Sequence, residues 1–141
     1  MRYSSKCQAI RTRTFKTRWF ARFARREDIT DTALREAIER AERGLIDADL
    51  GGGLIKQRVA RPGGGRSGGY RTIIAYRTAD RAVFLDGFAK SEQGNISSEE
   101  LAELRIIAQN WLRANPETTS DAIKNGLIQE LNHDHQNESN D

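Results

Sequence analysis

Apolar and polar positions change period at fixed points along the chain, and those changes mark out its elements. Trp19, Phe20, Phe23 and Ala24 recur at helical spacing with Arg18, Arg22, Arg25 and Arg26 on the other side, which predicts a helix whose aromatics face a core. Ala33, Leu34, Ala37, Ile38, Ala41 and Leu45 follow at i, i+3/i+4, with Glu36, Glu39, Arg40, Glu42 and Arg43 outward. Thr30 or Asp31 can cap this second helix by accepting a first-turn N–H, and Gly44 with Gly51–Gly53 ends it.

The period then drops to two. In Leu54–Arg61, Ile55, Gln57 and Val59 share one face while Lys56 and Arg58 share the other, until Pro62 stops the strand. Tyr70–Arg77 has Ile73 and Ala75 on one face and Tyr70, Ile74 and Tyr76 on the other, so it reads as a central strand. A turn at Thr78–Asp80 leads to a third strand carrying Val83, Leu85 and Phe88. Ser97-x-x-Glu100 is a capping box that opens a helix with Leu101, Leu104, Ala108, Trp111 and Leu112 on one stripe, closed at Asn115–Pro116. Ile123, Leu127, Ile128 and Leu131 predict one more short helix, and Arg13–Lys16 a short edge strand. The expected class is α+β: a small antiparallel sheet with two N-terminal helices and one or two C-terminal helices. Residues 1–11 read as a weakly ordered basic extension, 12–132 as the folded domain, and 133–141 as a disordered polar tail.

Charge sharpens this picture. From Met1 to Arg26 there are nine basic residues and no acid, and from Gly51 to Lys90 eight basic residues face only Asp80 and Asp86. From Ser91 onward ten acids outweigh Arg105, Arg113 and Lys124. A sheet this basic repels itself or meets a polyanion, and phosphate backbone is the obvious one. A chain of 141 residues is expected to form one domain. No apolar run approaches the roughly 18 residues that span a bilayer, so no membrane is expected. The start lacks a signal peptide's apolar centre, and the single Cys7 cannot make an internal disulfide; a cytoplasmic home is expected.

The available chemistry is narrow. Both histidines, His133 and His135, lie in the tail, so no Ser/His/Asp arrangement can be built. Asp47 and Asp49 lack partners at ligand spacing and read as loop, and neither metal nor cofactor is expected. Gly63–Gly68 matches G-x-G-x-x-G only formally, because a strand follows rather than a helix. It reads as a hairpin tip that swings Arg66 toward a ligand. What remains is lysine and arginine, with Tyr70, Tyr76, Asp86 and Glu92 as candidate proton carriers. Such residues can cleave RNA: attack by the 2′-OH needs in-line geometry, a proton acceptor and cations on the developing pentavalent phosphate. A lysine beside arginines has its charged form disfavoured, which suits it to act as base.

Strand, two helices, three strands and a closing helix is an order that resembles the RelE/ParE superfamily of bacterial toxins. Within it, FKTRWFARFARRE, ERGLIDADLGGGLIKQRVARPGGGRSGGYRT and FLDGFAKSEQGNIS resemble the HigB-type branch, over roughly Thr14–Arg113. The resemblance implies a microbial-ribonuclease-like fold and metal-independent cleavage of messenger RNA in the ribosomal A site. Relatives of the ParE type inhibit DNA gyrase instead, and a nucleic-acid-binding module without chemistry is the other alternative. Carried over by position, Lys56, Arg58 and Arg61 match the branch's basic strand, Arg71 its best-defined catalytic arginine, and Lys90 the basic residue after the last strand. In that reading Arg71 and Arg58 stabilise the transition state, Lys56 or Lys90 handles protons, and Arg61 and Arg66 bind flanking phosphate. The branch's aromatic or histidine acid has no equivalent; Ser91 and Ser97 lie nearest its position. The implied partners are messenger RNA on the ribosome and a cognate antitoxin of helix-turn-helix type.

Overall fold

The computed structural model describes residues 12–60, 69–89 and 96–131. The chain runs β1 (Arg13–Thr17), α1 (Arg18–Arg26), α2 (Asp31–Glu42), β2 (Ala48–Gly51), β3 (Leu54–Val59), β4 (Tyr70–Arg77), β5 (Arg81–Ala89), α3 (Ser98–Arg113), α4 (Pro116–Lys124) and β6 (Ile128–Glu130). All six strands join one sheet in the order β2-β3-β4-β5-β1-β6. Among the described residues only the β1–β5 pair is parallel. The predicted α+β class holds, and β4 is an interior strand as its two apolar faces require.

Each sheet face carries its own core. On one side Phe20, Phe23, Leu34 and Ile38 of α1 and α2 pack on Ile55, Val59, Ile74 and Phe84. On the other, Ala108 and Leu112 of α3 and Ala122 of α4 pack on Phe15, Leu54, Ile73 and Val83. Burying one such large apolar side chain contributes roughly 1.5–3 kcal/mol. The helix starts are as predicted: Thr30 accepts from Ala33 N, and Ser97 with Glu100 forms the complete capping box. Gln57, fully buried, ties the exit of α2 to the sheet by donating to the carbonyls of Ala37 and Leu45 and accepting from Asp47 N.

Several expectations are corrected. Arg13–Lys16 is not an edge: β1 lies between β5 and β6, and Thr14 and Phe15 are buried. Its outer partner was hidden inside the predicted last helix. Asn115 caps α4 earlier, and Gly126 at φ 77 stops it, so that Ile128–Glu130 turns back as β6. Asp47–Gly51 is not all loop, since Ala48–Gly51 pairs with β3. Trp19 is not core but 72% exposed, and Leu45, beyond the end of α2, is exposed as well.

One irregularity shapes the α3 face of the sheet. Between β4 and β5 the register slips, so that Ile73 pairs with Asp86 while Ile74 pairs with Phe84, leaving Leu85 as an extra residue. This bulge brings Asp86 and Phe88 to the sheet face that holds Ile73 and Arg71. Gly87 on the opposite face has no room for a side chain: a Cβ there would sit 2.6 Å from Cε2 of Phe23.

Candidate nucleic-acid interface

Three strands present a basic face on the α3 side of the sheet. Cross-strand register defines two rows, Lys56–Ile73–Asp86 and Arg58–Arg71–Phe88. Arg58 and Asp86 are exposed, and Lys56 and Arg71 are half-buried. Like charges directly opposite cost a sheet roughly 0.2–1 kcal/mol, yet Arg58 and Arg71 stand in direct register. Arg71 adds a second tension: its Nη1 is shielded from solvent and meets no hydrogen-bond acceptor among the described residues. Native structures rarely leave such a donor unsatisfied. Together these features make a cradle that an anion's oxygens would complete.

Arg58 is held from below. Its backbone N–H donates to Oδ2 of Asp47 at 2.7 Å, and its Nε lies 4.0 Å from the same oxygen. The buried Arg40 of α2 donates to the Arg58 carbonyl and stands 3.8 Å from Asp47 Oδ2. Asp47 is thus a strut for β3 and Asp49 a turn acceptor for Gly51 N, which is where those two carboxylates spend their lone pairs. Among the described residues no cluster of three or more His, Cys, Asp or Glu is placed to hold a metal.

Asp86 is the carboxyl of the face. Desolvation by surrounding protein pushes its pKa up although the side chain reaches solvent, and the nearby Glu100 charge adds to the rise. The Gly87 N–H, donating to Oδ1 at 2.8 Å, opposes it. A carboxylate raised toward neutrality is a stronger proton acceptor than an ordinary one.

The structure therefore brings together Lys56, Arg58 and Arg71, and adds Asp86. Arg61 and Arg66, between β3 and β4, and Lys90, after β5, lie outside the described residues, as do Ser91 and Glu92. Ser97 is committed as a helix cap, accepting from Glu100 N. The tyrosines belong to the other face. Tyr70 donates to Glu27, and Tyr76 to Glu42, with burial and that bond raising the Tyr76 pKa, so neither is a proton carrier for this site. Arg77 pairs with Asp80, and Arg81 donates to the Trp111 carbonyl and Thr119 Oγ1, closing the end of α3. Sequence reasoning missed Arg40 and took Asp47 for loop; their roles exist only once α2, β2 and β3 meet.

No described helix is long and apolar enough to cross a membrane. Compared with known proteins, residues 12–131 match the family model for the RelE toxin of the RelE/RelB toxin–antitoxin system. No curated protein matches the chain.

Proposed function

The chain belongs to the RelE toxin family, and from that premise we propose that it is a HigB-type, metal-independent endoribonuclease that cuts messenger RNA on the ribosome and so halts translation. The observation that carries this reading is the Arg58–Arg71 pair, set in register with a shielded guanidinium nitrogen unpaired. A scissile phosphate laid on that pair gives each guanidinium oxygens to bind, and the donors strengthen as charge grows on the pentavalent phosphorus. Lys56 and Asp86 flank it in the second row, two strand spacings or about 10 Å apart, with only Ile73 between. That gap accommodates in-line displacement. Asp86 accepts the proton of the 2′-OH, whose oxygen bonds to phosphorus as the bond to the 5′-oxygen breaks. Lys56 protonates the leaving oxygen, and a 2′,3′-cyclic phosphate remains. Arg61 and Arg66 bind flanking phosphates, and Lys90 adds charge where β5 ends. The activity is restrained by a cognate antitoxin, in this reading a helix-turn-helix protein.

Inducing the chain alone in a bacterium should stop translation, with primer extension showing new 5′ ends inside coding regions. Continuing translation with accumulating DNA breaks would transfer the chain to the gyrase-inhibiting branch.

A further inference from the structure

Polar side chains gather in the α1–α2 core directly beneath the basic pair. Gln57 and Thr72, both wholly buried, face each other across β3 and β4, next in sequence to Arg58 and Arg71. Thr72 Oγ1 donates to the Gln57 carbonyl at 2.9 Å. Arg40 reaches the same place from α2; it is 7% exposed, and its Nε meets no acceptor among the described residues. Stability alone does not call for this arrangement. A buried ion pair returns little beyond its desolvation cost, apolar residues of similar volume often serve as well, and an unsatisfied buried donor adds a further penalty.

The contacts of this cluster converge on Arg58. Gln57 Oε1 accepts from the Asp47 N–H at 2.7 Å, which fixes the Asp47 backbone. Asp47 Oδ2 accepts from the Arg58 N–H, and Arg40 donates to the Arg58 carbonyl, so side chains hold both backbone groups of Arg58. The Nε end of the Arg58 guanidinium faces Asp47 at 4.0 Å, and neither of its Nη groups has an acceptor among the described residues. An exposed carboxylate so close to a phosphate-binding cation would only weaken RNA binding if it acted through charge alone. We propose that Asp47 and Arg40 are positioning residues for Arg58: they fix its backbone and the Nε end of its guanidinium, leaving both Nη groups to grip the phosphate alongside Arg71. This role rests on the nuclease reading of the basic face.

Charge and positioning predict opposite signs. Asp47→Asn keeps an acceptor for the Arg58 N–H but discards the negative charge. Acting by charge alone, it would bind RNA more tightly and cut at least as well. Loss of positioning should instead lower kcat about tenfold or more with KM little changed. Arg40→Lys keeps the buried cation but not the fork that serves both Asp47 and the Arg58 carbonyl, and it should do the same. Each variant is then repeated in an Arg58→Ala chain. There neither should lower cutting further, because residues that act through a third lose their effect with it, whereas damage to the fold would persist. The same cycle is read as affinity for a 2′-deoxy oligonucleotide, which cannot be cut: Asp47→Asn should weaken binding when Arg58 is present and leave it unchanged when Arg58 is absent. Native kcat in the single variants, equal losses with and without the Arg58 side chain, or tighter or unchanged oligonucleotide binding by Asp47→Asn would overturn the proposal. A native chain that cuts no message yet shows the cycle in binding would overturn the nuclease reading alone.

Discussion

Arg71 sits on an interior strand, where a rigid backbone can hold its guanidinium to the tolerance that the proposed transition-state role needs. Losing one preorganised donor of this kind typically costs about 3–4 kcal/mol, on the order of 10²–10³ in rate. Arg71→Ala should show that loss in message cutting by primer extension, and Arg71→Lys most of it, because an ammonium cannot reproduce the fork. Melting should not fall, since the variant also removes the like-charge opposition with Arg58. Arg77→Ala is the control: on the same strand and face, but paired with Asp80 and six residues away, it should cut normally. Asp86 makes a prediction with a definite sign. Its folded-state pKa is raised, so ionisation costs stability; the cost is absent at acid pH and appears as pH rises through the folded value. Asp86→Asn should therefore melt no lower than the native chain at pH 7, with any advantage vanishing below about pH 4. It should also cut poorly, and normal cutting by this variant would remove Asp86 as the proton acceptor.

The bulge in β5 shows how an element's geometry supports single residues. Gly87→Ala places a methyl 2.6 Å from Phe23, so either α1 lifts or the bulge shifts. Overpacking of this kind costs about 1–3 kcal/mol, to be read as a lower denaturation midpoint, and cutting should fall with it because Asp86 is displaced. The same contrast between residue and element explains what could be read from the sequence. Helices α1–α3 and strands β3–β5 were legible because each repeats its period several times before a cap or turn interrupts it. β2 and β6 were not, for strands of four and three residues offer too few apolar positions to fix a period. Ile128 and Leu131 fit a helix or a strand equally, and the decisive mark was Gly126. Trp19 shared the helical spacing of Phe20 and Phe23, but period alone does not say where an apolar stripe ends. At the site, Lys56, Arg58 and Arg71 were legible as cations on strands. Arg40 and Asp47 were not, because their work depends on contacts 18 and 11 residues along the chain.

For the molecule as a whole, charge is segregated: a basic sheet face and a basic α1, followed by an acidic C-terminal third. Affinity for ribosomes or single-stranded RNA should fall steeply with salt, and Arg58→Ala should reduce the log–log slope by about 0.7, the share of one phosphate on a single strand. A slope unchanged by Arg58→Ala would remove this face from the binding surface. The placement of β1 has a consequence of another kind. Its seam with β5 joins Phe15 to Val83, and its seam with β6 joins Phe15 to Glu130. The first described strand to be synthesised is thus the last to be enclosed. Pairings between such distant residues make folding slow, and until they form β1 presents a bare row of amides and carbonyls. A nascent chain stalled before Ile128 would carry that open edge exposed, ready to pair with another copy. Translation that runs through β6 is what separates a quietly folding chain from an adhesive fragment.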